Sequence, residues 1–578
     1  CTPNRTLRDY ATKALIALLQ HRLHLVIELL KKFEGINDPY IYDRLFAVAL
    51  GASIRATEKR GLLELSEYIY ATIFKDKEEV YAHILLRDYA RGVIEYSHYL
   101  GIGLSFDICE AQPPYTSQFF DDALSNEELE ARYRIPYDSE DYKEIHRGQN
   151  MILNSMTTEY GRGIGGYGDF GRYTFQSALE YWNISANMLS NKAVEWIFEK
   201  YGYDAELHGE IDSNIPYSGR GGKSIERIGK KYQWIALYEM LARVADNVTD
   251  FNERGLWRET GEKHSYSGPW NPYVRDIDPT ILINDTGNVD EDVSTNFWWT
   301  NTEPIDIELS NSDWIPFEGD LPDANQILSV IDGNENEWLM IEGYPEWAEK
   351  RKLGEEKYDN PHKRMWWQVR SYLVKEEDYE SFYEWTKYQN FWGRWMPENN
   401  ERYQVFNREY CWSPAYKFFQ KEHYGGELWS TACNSYSGSD EFKVMVTADS
   451  YMWEEEFDRS KEKTLNMLKP SQHIFENMEI EYSQRDGEFI NNKGEVICFD
   501  PSIYFDSKQF LLIRKNEFLS YLKKHKLKVV WTIIGEKQII GGTLSRTKED
   551  EYHLMELSGS FKIDKYGNIV GNITTELK

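Results

Sequence analysis

The stretch Ser224 to Asn247, SIERIGKKYQWIALYEMLARVADN, limits what this chain can fold into more than any other. It holds no proline and a single glycine, and its length suits about six helical turns. Ser224 suits the N-cap, where its hydroxyl accepts from the orphan amides of a first turn, and Asn247 suits the stop. In the first half Ile225, Ile228, Tyr232, Ile235 and Ala236 share a face, opposite Arg227, Lys230 and Lys231. In the second half Leu237, Met240, Leu241, Val244 and Ala245 align on a different side, and Glu239, Arg243 and Asp246 take the place of the first stripe. A surface helix keeps one apolar stripe. A stripe that changes sides needs cover on two sides, so the pattern predicts a strut between two packed layers; a core helix within one domain fits it equally.

The rest of the chain divides by texture. Residues 1–104 read as successive helices. Pro3 suits a first turn, followed at helical spacing by Leu7, Ala11, Ala14, Leu15 and Leu18. Asp38-Pro39 starts the next helix, which continues through Leu45, Ala49, Ala52 and Ile54. Gly61 opens another, and residues 82–100 form a fourth. Tight turns between helices predict an α-solenoid of HEAT or TPR type, although no clean repeat is visible; a plain bundle is the alternative. Residues 105–255 form a second helical region around the strut helix, 224–247. Residues 256–425 are mixed and aromatic-rich, and within them 345–390 read as helical. Residues 426–578 turn β-like at Phe442–Thr447 and Val529–Gly535, with alternating runs either side of Tyr566-Gly567-Asn568. The fold class expected is mainly α, with a C-terminal α+β module containing an antiparallel sheet.

Charge excludes some partners. With 96 acidic against 66 basic residues the net charge is −30, which opposes general binding to nucleic acid or anionic lipid. No long apolar span indicates membrane crossing. Five scattered cysteines argue for reduced thiols in a cytoplasmic setting, and the absent initiator methionine suggests a segment of a longer polypeptide. Aromatics make up 15% of the chain, with 19 Trp and 41 Tyr, and large amphipathic rings favour recognition surfaces as well as cores.

No catalytic motif is complete. Gly163-Ile-Gly165-Gly-Tyr-Gly168 matches GxGxxG but follows no strand. Gly222-Lys223-Ser224 ends like a P-loop, yet Tyr217 stands where the first glycine belongs. His21 and His24 are three apart, and no third ligand supports them. Asp276 and Asp278 suggest a brace for a turn, with Arg275 as partner, more than a glycosidase pair.

Five stretches carry a family resemblance: HILLRDYARGVIEY (His83 to Tyr96), GDFGRYTFQSAL (Gly168 to Leu179), IGKKYQWIALYEMLARVADN (Ile228 to Asn247), PWNPYVRDIDPT (Pro269 to Thr280) and WTIIGEKQ (Trp531 to Gln538). Together they resemble the C-terminal region of large bacterial STAND-type NTPases, the NACHT-like ATPases of antiviral (AVAST-type) defence. The resemblance implies a sensor region that binds a phage protein such as terminase or portal and triggers homo-oligomerisation. It places ATP, Mg2+ and an effector such as a nuclease in the full-length protein, and neither catalysis nor a metal in this segment. The ligand-binding candidates are the tryptophans of the C-terminal half: Trp366, Trp367, Trp392, Trp395, Trp412 and Trp453. An acidic, aromatic-rich carbohydrate-active enzyme or carbohydrate-binding protein is the alternative.

Overall fold

The computed structural model describes residues 2, 4–75, 78–162, 168–179, 182–215, 225–248, 277–281, 308–349, 361–387, 389, 391, 396–397, 429–432, 442–453, 458–460, 464–483, 485–503, 510–541 and 554–578. Where sequence texture suggested four segments, the contacts draw two units. One comprises residues 1–285, 408–423 and 454–464, and the other residues 286–407, 424–453 and 465–578.

The first unit is helical. It opens with α1 (Arg5–Leu19), α2 (Leu23–Phe33), α3 (Pro39–Arg55), α4 (Lys59–Ile69) and α5 (Ile84–Tyr99). Local sequence sets the starts. Asn4 caps α1 by accepting from Leu7 N at 3.0 Å, Asp38 caps α3 ahead of Pro39, and His83 Nδ1 caps α5. The helices then alternate between two rows. α1 packs on α3 and α3 on α5, while α2 packs on α4, and α2–α3 and α4–α5 join the rows.

α1 forms where the helical spacing predicts a helix, but the residues at that spacing, Leu7, Ala11, Ala14, Leu15 and Leu18, are exposed. The buried face carries Arg8, Asp9, Thr12 and Lys13 beside Ile16 and Leu19. Lys13 Nζ pairs with Asp458 at 2.8 Å and donates to the carbonyls of Ile281, at 2.6 Å, and Asp278. Asp9 meets Arg44 at 3.2 Å and accepts from Arg459 N at 3.0 Å, and Arg8 pairs with Glu226 at 2.8 Å. Apolar periodicity found the helix but not its inward face, because ion pairs with distant segments chose that face.

Shorter helices follow: α6 (Asn126–Tyr133), α7 (His146–Ser155), α8 (Ser177–Leu179), α9 (Ala186–Glu195) and α10 (Ala205–Asn214). They lead to α11 (Ile228–Asn247), which packs against α5, α7, α9 and α10. Every residue from Ile235 to Asp246 except Arg243 is buried. The helix therefore has cover on several sides from these four helices. It starts four residues later than expected, and Ser224 lies outside the described residues. Its first amides are capped instead from α10, where the Asp212 carboxylate accepts from Ile228 N and, at 2.9 Å, from Gly229 N. Glu239 and Asp246, two polar residues of its second half, are buried and paired. Asp246 binds Arg87 through both oxygens at 3.0 and 2.9 Å, and Glu239 accepts from Lys200, Arg243 and Tyr201.

The second unit is built on an antiparallel sheet, which begins about a hundred residues before the expected module. Its strands are β1 (Ser329–Ile331), β2 (Glu337–Gly343), β3 (Glu346–Ala348), β4 (His362–Lys375), β5 (Ser430–Ala432), β6 (Phe442–Val446), β7 (Ala448–Trp453) and β8 (Leu465–Pro470). They continue with β9 (Glu481–Tyr482), β10 (Glu488–Ile490), β11 (Val496–Phe499), β12 (Phe510–Arg514), β13 (Leu527–Ile540), β14 (Leu554–Ile563) and β15 (Ile569–Leu577). Among the described residues the main sheet runs β15-β14-β13-β4-β2-β12-β11-β10-β9, with β1 on β2, β3 and β6 on β4, and β5 on β6; β7 and β8 pair separately. The helical reading of 345–390 is thus replaced by β3 and β4, and only Tyr379–Thr386 is helical there among the described residues. β4 has the strand period: Met365, Trp367, Val369, Ser371 and Leu373 are buried on one face, at every second position. The helix Tyr379–Thr386 covers one end of the other face, packing Tyr379, Phe382 and Tyr383 with Tyr372 and Val530. The turn at Tyr566-Gly567-Asn568 joins β14 to β15 as expected. Gly567 takes a φ of 87°, and Asp564 Oδ1 braces the loop from Tyr566 N and Asn568 N.

Candidate functional site

Two long strands, β4 and β13, pair over their whole lengths and fix one register across the sheet. Trp366 lies opposite Glu536, and on its other side opposite Glu346 of β3. Glu536 lies opposite Glu556 of β14, and Glu556 opposite Glu576 of β15. Directly paired residues share a face. Register therefore gathers one row, Glu346–Trp366–Glu536–Glu556–Glu576, across five strands; at the usual strand spacing it spans about 19 Å. Its members are half-buried from Glu346 to Glu556 and exposed at Glu576 on the outer strand.

Trp366 is held in place. Its indole Nε1 donates to Glu536 Oε2 at 3.1 Å. Arg364, on the same face of β4, pairs with Glu346 at 2.7 Å. Lys578 serves the far end, 2.6 Å from Glu576 and 3.6 Å from Glu556. Like charges directly opposite on neighbouring strands are destabilising. Burial, together with the Glu556 charge, pushes the Glu536 carboxyl up against the opposing effects of the Trp366 donor and Arg364. Next along the same face, Tyr344 donates to Glu342 at 3.2 Å, and burial beside that carboxylate pushes the phenol up to about 12.

The other tryptophans proposed from sequence divide into two groups. Trp367 is 1% exposed and points to the opposite face of β4 from Trp366, beside Gly535. A Cβ on Gly535 would stand 2.4 Å from the Trp366 carbonyl oxygen and 3.0 Å from the Trp367 ring, so only glycine fits. Trp453 is 2% exposed within β7. Both rings are buried, so of the described candidates only Trp366 reaches toward the surface; period-2 alternation allows only one of two adjacent aromatics to face outward. Trp392, Trp395 and Trp412 lie outside the described residues.

The remaining motifs are placed as follows. His21 sits in the turn before α2 and His24 within it, so the two do not share a helix face. Asp278 braces a turn, accepting from Thr280 N at 2.9 Å and Thr280 Oγ1 at 2.7 Å. Asp276, Arg275, Tyr217, Gly222 to Ser224 and the glycine run 163–167 lie outside the described residues. The four glutamates of the row escaped the sequence reading, because only strand register brings positions 346, 536, 556 and 576 together. The sequence signal, confined to β14, is Glu556 spaced with Ser558, Ser560 and Lys562 at every second position.

No protein-family model matches this chain, and no curated protein matches it either.

Proposed function

We propose that this chain is the ligand-recognition region of a STAND-type NTPase of anti-phage defence, and that it binds a viral protein such as terminase or portal. In this reading ligand binding triggers oligomerisation of the full-length protein, whose ATP, Mg2+ and effector lie outside this segment. The segment itself is not an enzyme, works in the cytoplasm and contacts neither nucleic acid nor membrane. The two-row packing of α1 to α5 supports a HEAT- or TPR-like stack as the frame.

The observation that carries the recognition reading is the row around Trp366. A tryptophan fixed by a hydrogen bond gives a rigid amphipathic anchor with little entropy left to lose. Carboxylates opposed across strands keep mutual repulsion that a basic surface would relieve, so the row fits a folded partner presenting lysines or arginines around an apolar spot. The test is a calorimetric titration of the segment against purified terminase, portal and duplex DNA at low and moderate salt. Binding to one viral protein that is lost in Trp366→Ala supports the reading; binding only to DNA, with steep salt dependence, contradicts it.

The same row favours one second reading. Paired carboxylates beside a half-buried indole also suit a sugar, with Glu536, its carboxyl pushed up, as the proton donor and Glu556 as the second carboxylate opposite it. Reducing-sugar release from a glycan panel, abolished in Glu536→Gln, would favour that carbohydrate-active alternative.

A further inference from the structure

Two half-buried histidines meet away from the row around Trp366. His473 lies in the helix Gln472–Asn477, which follows β8. His525 ends the helix Lys515–His525, and Lys526, at a left-handed φ of 54°, turns the chain there into β13. The two imidazole rings stand 5.9 Å apart between centres, with 78° between their planes. Two imidazoles that share one zinc ion, each nitrogen about 2.0–2.1 Å from the metal, hold their centres roughly 5.2–6.4 Å apart, according to the angle at the metal.

The ring nitrogens suit the same use. His525 Nε2 is sealed from solvent and has no hydrogen-bond partner, which is uncommon for a buried polar atom. His473 Nδ1 lies 2.5 Å from the Tyr521 hydroxyl, which leaves Nε2 as the nitrogen for a ligand. Burial pushes the Tyr521 phenol up, so it stays neutral. With a metal on Nε2, His473 Nδ1–H donates to the Tyr521 oxygen, the outer contact that orients a ligating imidazole. Burial, with His525 adding and Glu476 opposing, pushes the His473 imidazole down, so at neutral pH no proton has to leave it. Glu476, one helical turn from His473, supplies negative charge, and the C-terminus of the Lys515–His525 helix favours a cation. Lys523, Lys524 and Lys526 are exposed to water. We propose that His473 and His525 form a site for one Zn2+ ion, bound through the two Nε2 atoms. Among the described residues no third histidine, cysteine or carboxylate completes a metal cluster, so water fills the remaining positions, as at an open zinc site. The pair stands at the start of β13, whose first residue is nine positions, about 30 Å, before Glu536, so this proposal and the recognition reading can fail independently.

The test is a calorimetric titration of the full chain, first stripped with a chelator, against ZnCl2, with MgCl2 as the control. One zinc per chain should bind, with an affinity in the micromolar range, and magnesium should bind far more weakly. Zinc should raise the melting temperature, and its affinity should fall at least tenfold between about pH 7.5 and 5.5 as the imidazoles take up protons. His473→Ala and His525→Ala should each cut the zinc affinity at least tenfold, and the double variant should lose little more. Tyr521→Phe, which removes only the outer contact, should weaken zinc about tenfold. His473→Gln keeps a hydrogen-bonding group for Tyr521, so it should melt like the metal-free wild type and still lose zinc. No zinc binding by the wild type, equal binding of magnesium, or unchanged zinc affinity in His473→Gln and His525→Ala overturns the proposal.

Discussion

The ammonium of Lys13 lies 2.8 Å from the carboxylate of Asp458, 445 positions further along the chain, and both side chains are sealed from solvent. Burial pushes the Asp458 carboxyl up, but Lys13 and the two Ser460 donors outweigh it and hold it below the usual carboxylate range. The pair fixes which way α1 faces. Removing one partner strands a buried charge, so Lys13→Ala or Asp458→Ala should cost about 3–5 kcal/mol in chemical denaturation. Replacing both with apolar residues of similar size should cost far less. A folded carboxyl held low gives stability that is present above the unfolded value, about 3.9, and lost as pH falls through the folded one. The melting temperature of the wild type should therefore drop below about pH 4, and that drop should shrink in the apolar double variant.

His83 gives a second pH signature. It is 1% exposed, and burial pushes its imidazole down to about 3, with Arg87 adding and Glu239 opposing. The folded state keeps it neutral, while the unfolded chain takes up a proton near pH 6.5. Stability from this group is full above pH 6.5 and is lost progressively as pH falls toward 3. His83→Asn should keep the N-cap bond to Leu86 N while flattening the fall in melting temperature between pH 6.5 and 4.5. An unchanged slope would show that His83 is not its source.

α11 separates buried positions from exposed ones. Leu241 is fully buried, so Leu241→Asp should cost several kcal/mol. Lys230 is 41% exposed and 3.5 Å from Glu226, and Lys230→Glu should cost well under half as much. Asp212→Ala should cost about 1–2 kcal/mol by uncapping Ile228 and Gly229. Thermal melts of the three variants check the order, and equal losses would refute this account of the helix.

Much of the helical unit was legible because its signals are local. Asp38-Pro39 marks the start of α3, and an unbroken run free of proline marks α11. The facing of α1 was not legible: its apolar periodicity is genuine, but Asp458, Arg44 and Glu226 decide what it buries. β4 was read as helix because Trp366-Trp367 and the charged residues around them mask its alternation. The candidate site was legible only as one tryptophan. Its glutamates lie up to 230 positions apart, and nothing in composition or spacing couples them until β4, β13, β14 and β15 pair in register.

Glu536 links stability to recognition. A carboxyl pushed up in the folded state contributes stability below the unfolded value that is lost as pH rises through the folded one. Glu536→Gln keeps an acceptor for Trp366 and removes the repulsion with Glu556. It should raise the melting temperature at pH 7, leave it nearly unchanged at pH 4, and weaken binding of a basic partner.

The most direct measurement of the central claim is a titration of a phage terminase or portal protein into the wild-type segment, Trp366→Ala and Glu556→Lys, each first shown to melt like the wild type. Saturable binding of one viral protein to the wild type is expected, with a loss of at least tenfold, about 1.4 kcal/mol, in each variant. Equal affinity in all three would contradict recognition through the row Glu346–Trp366–Glu536–Glu556–Glu576.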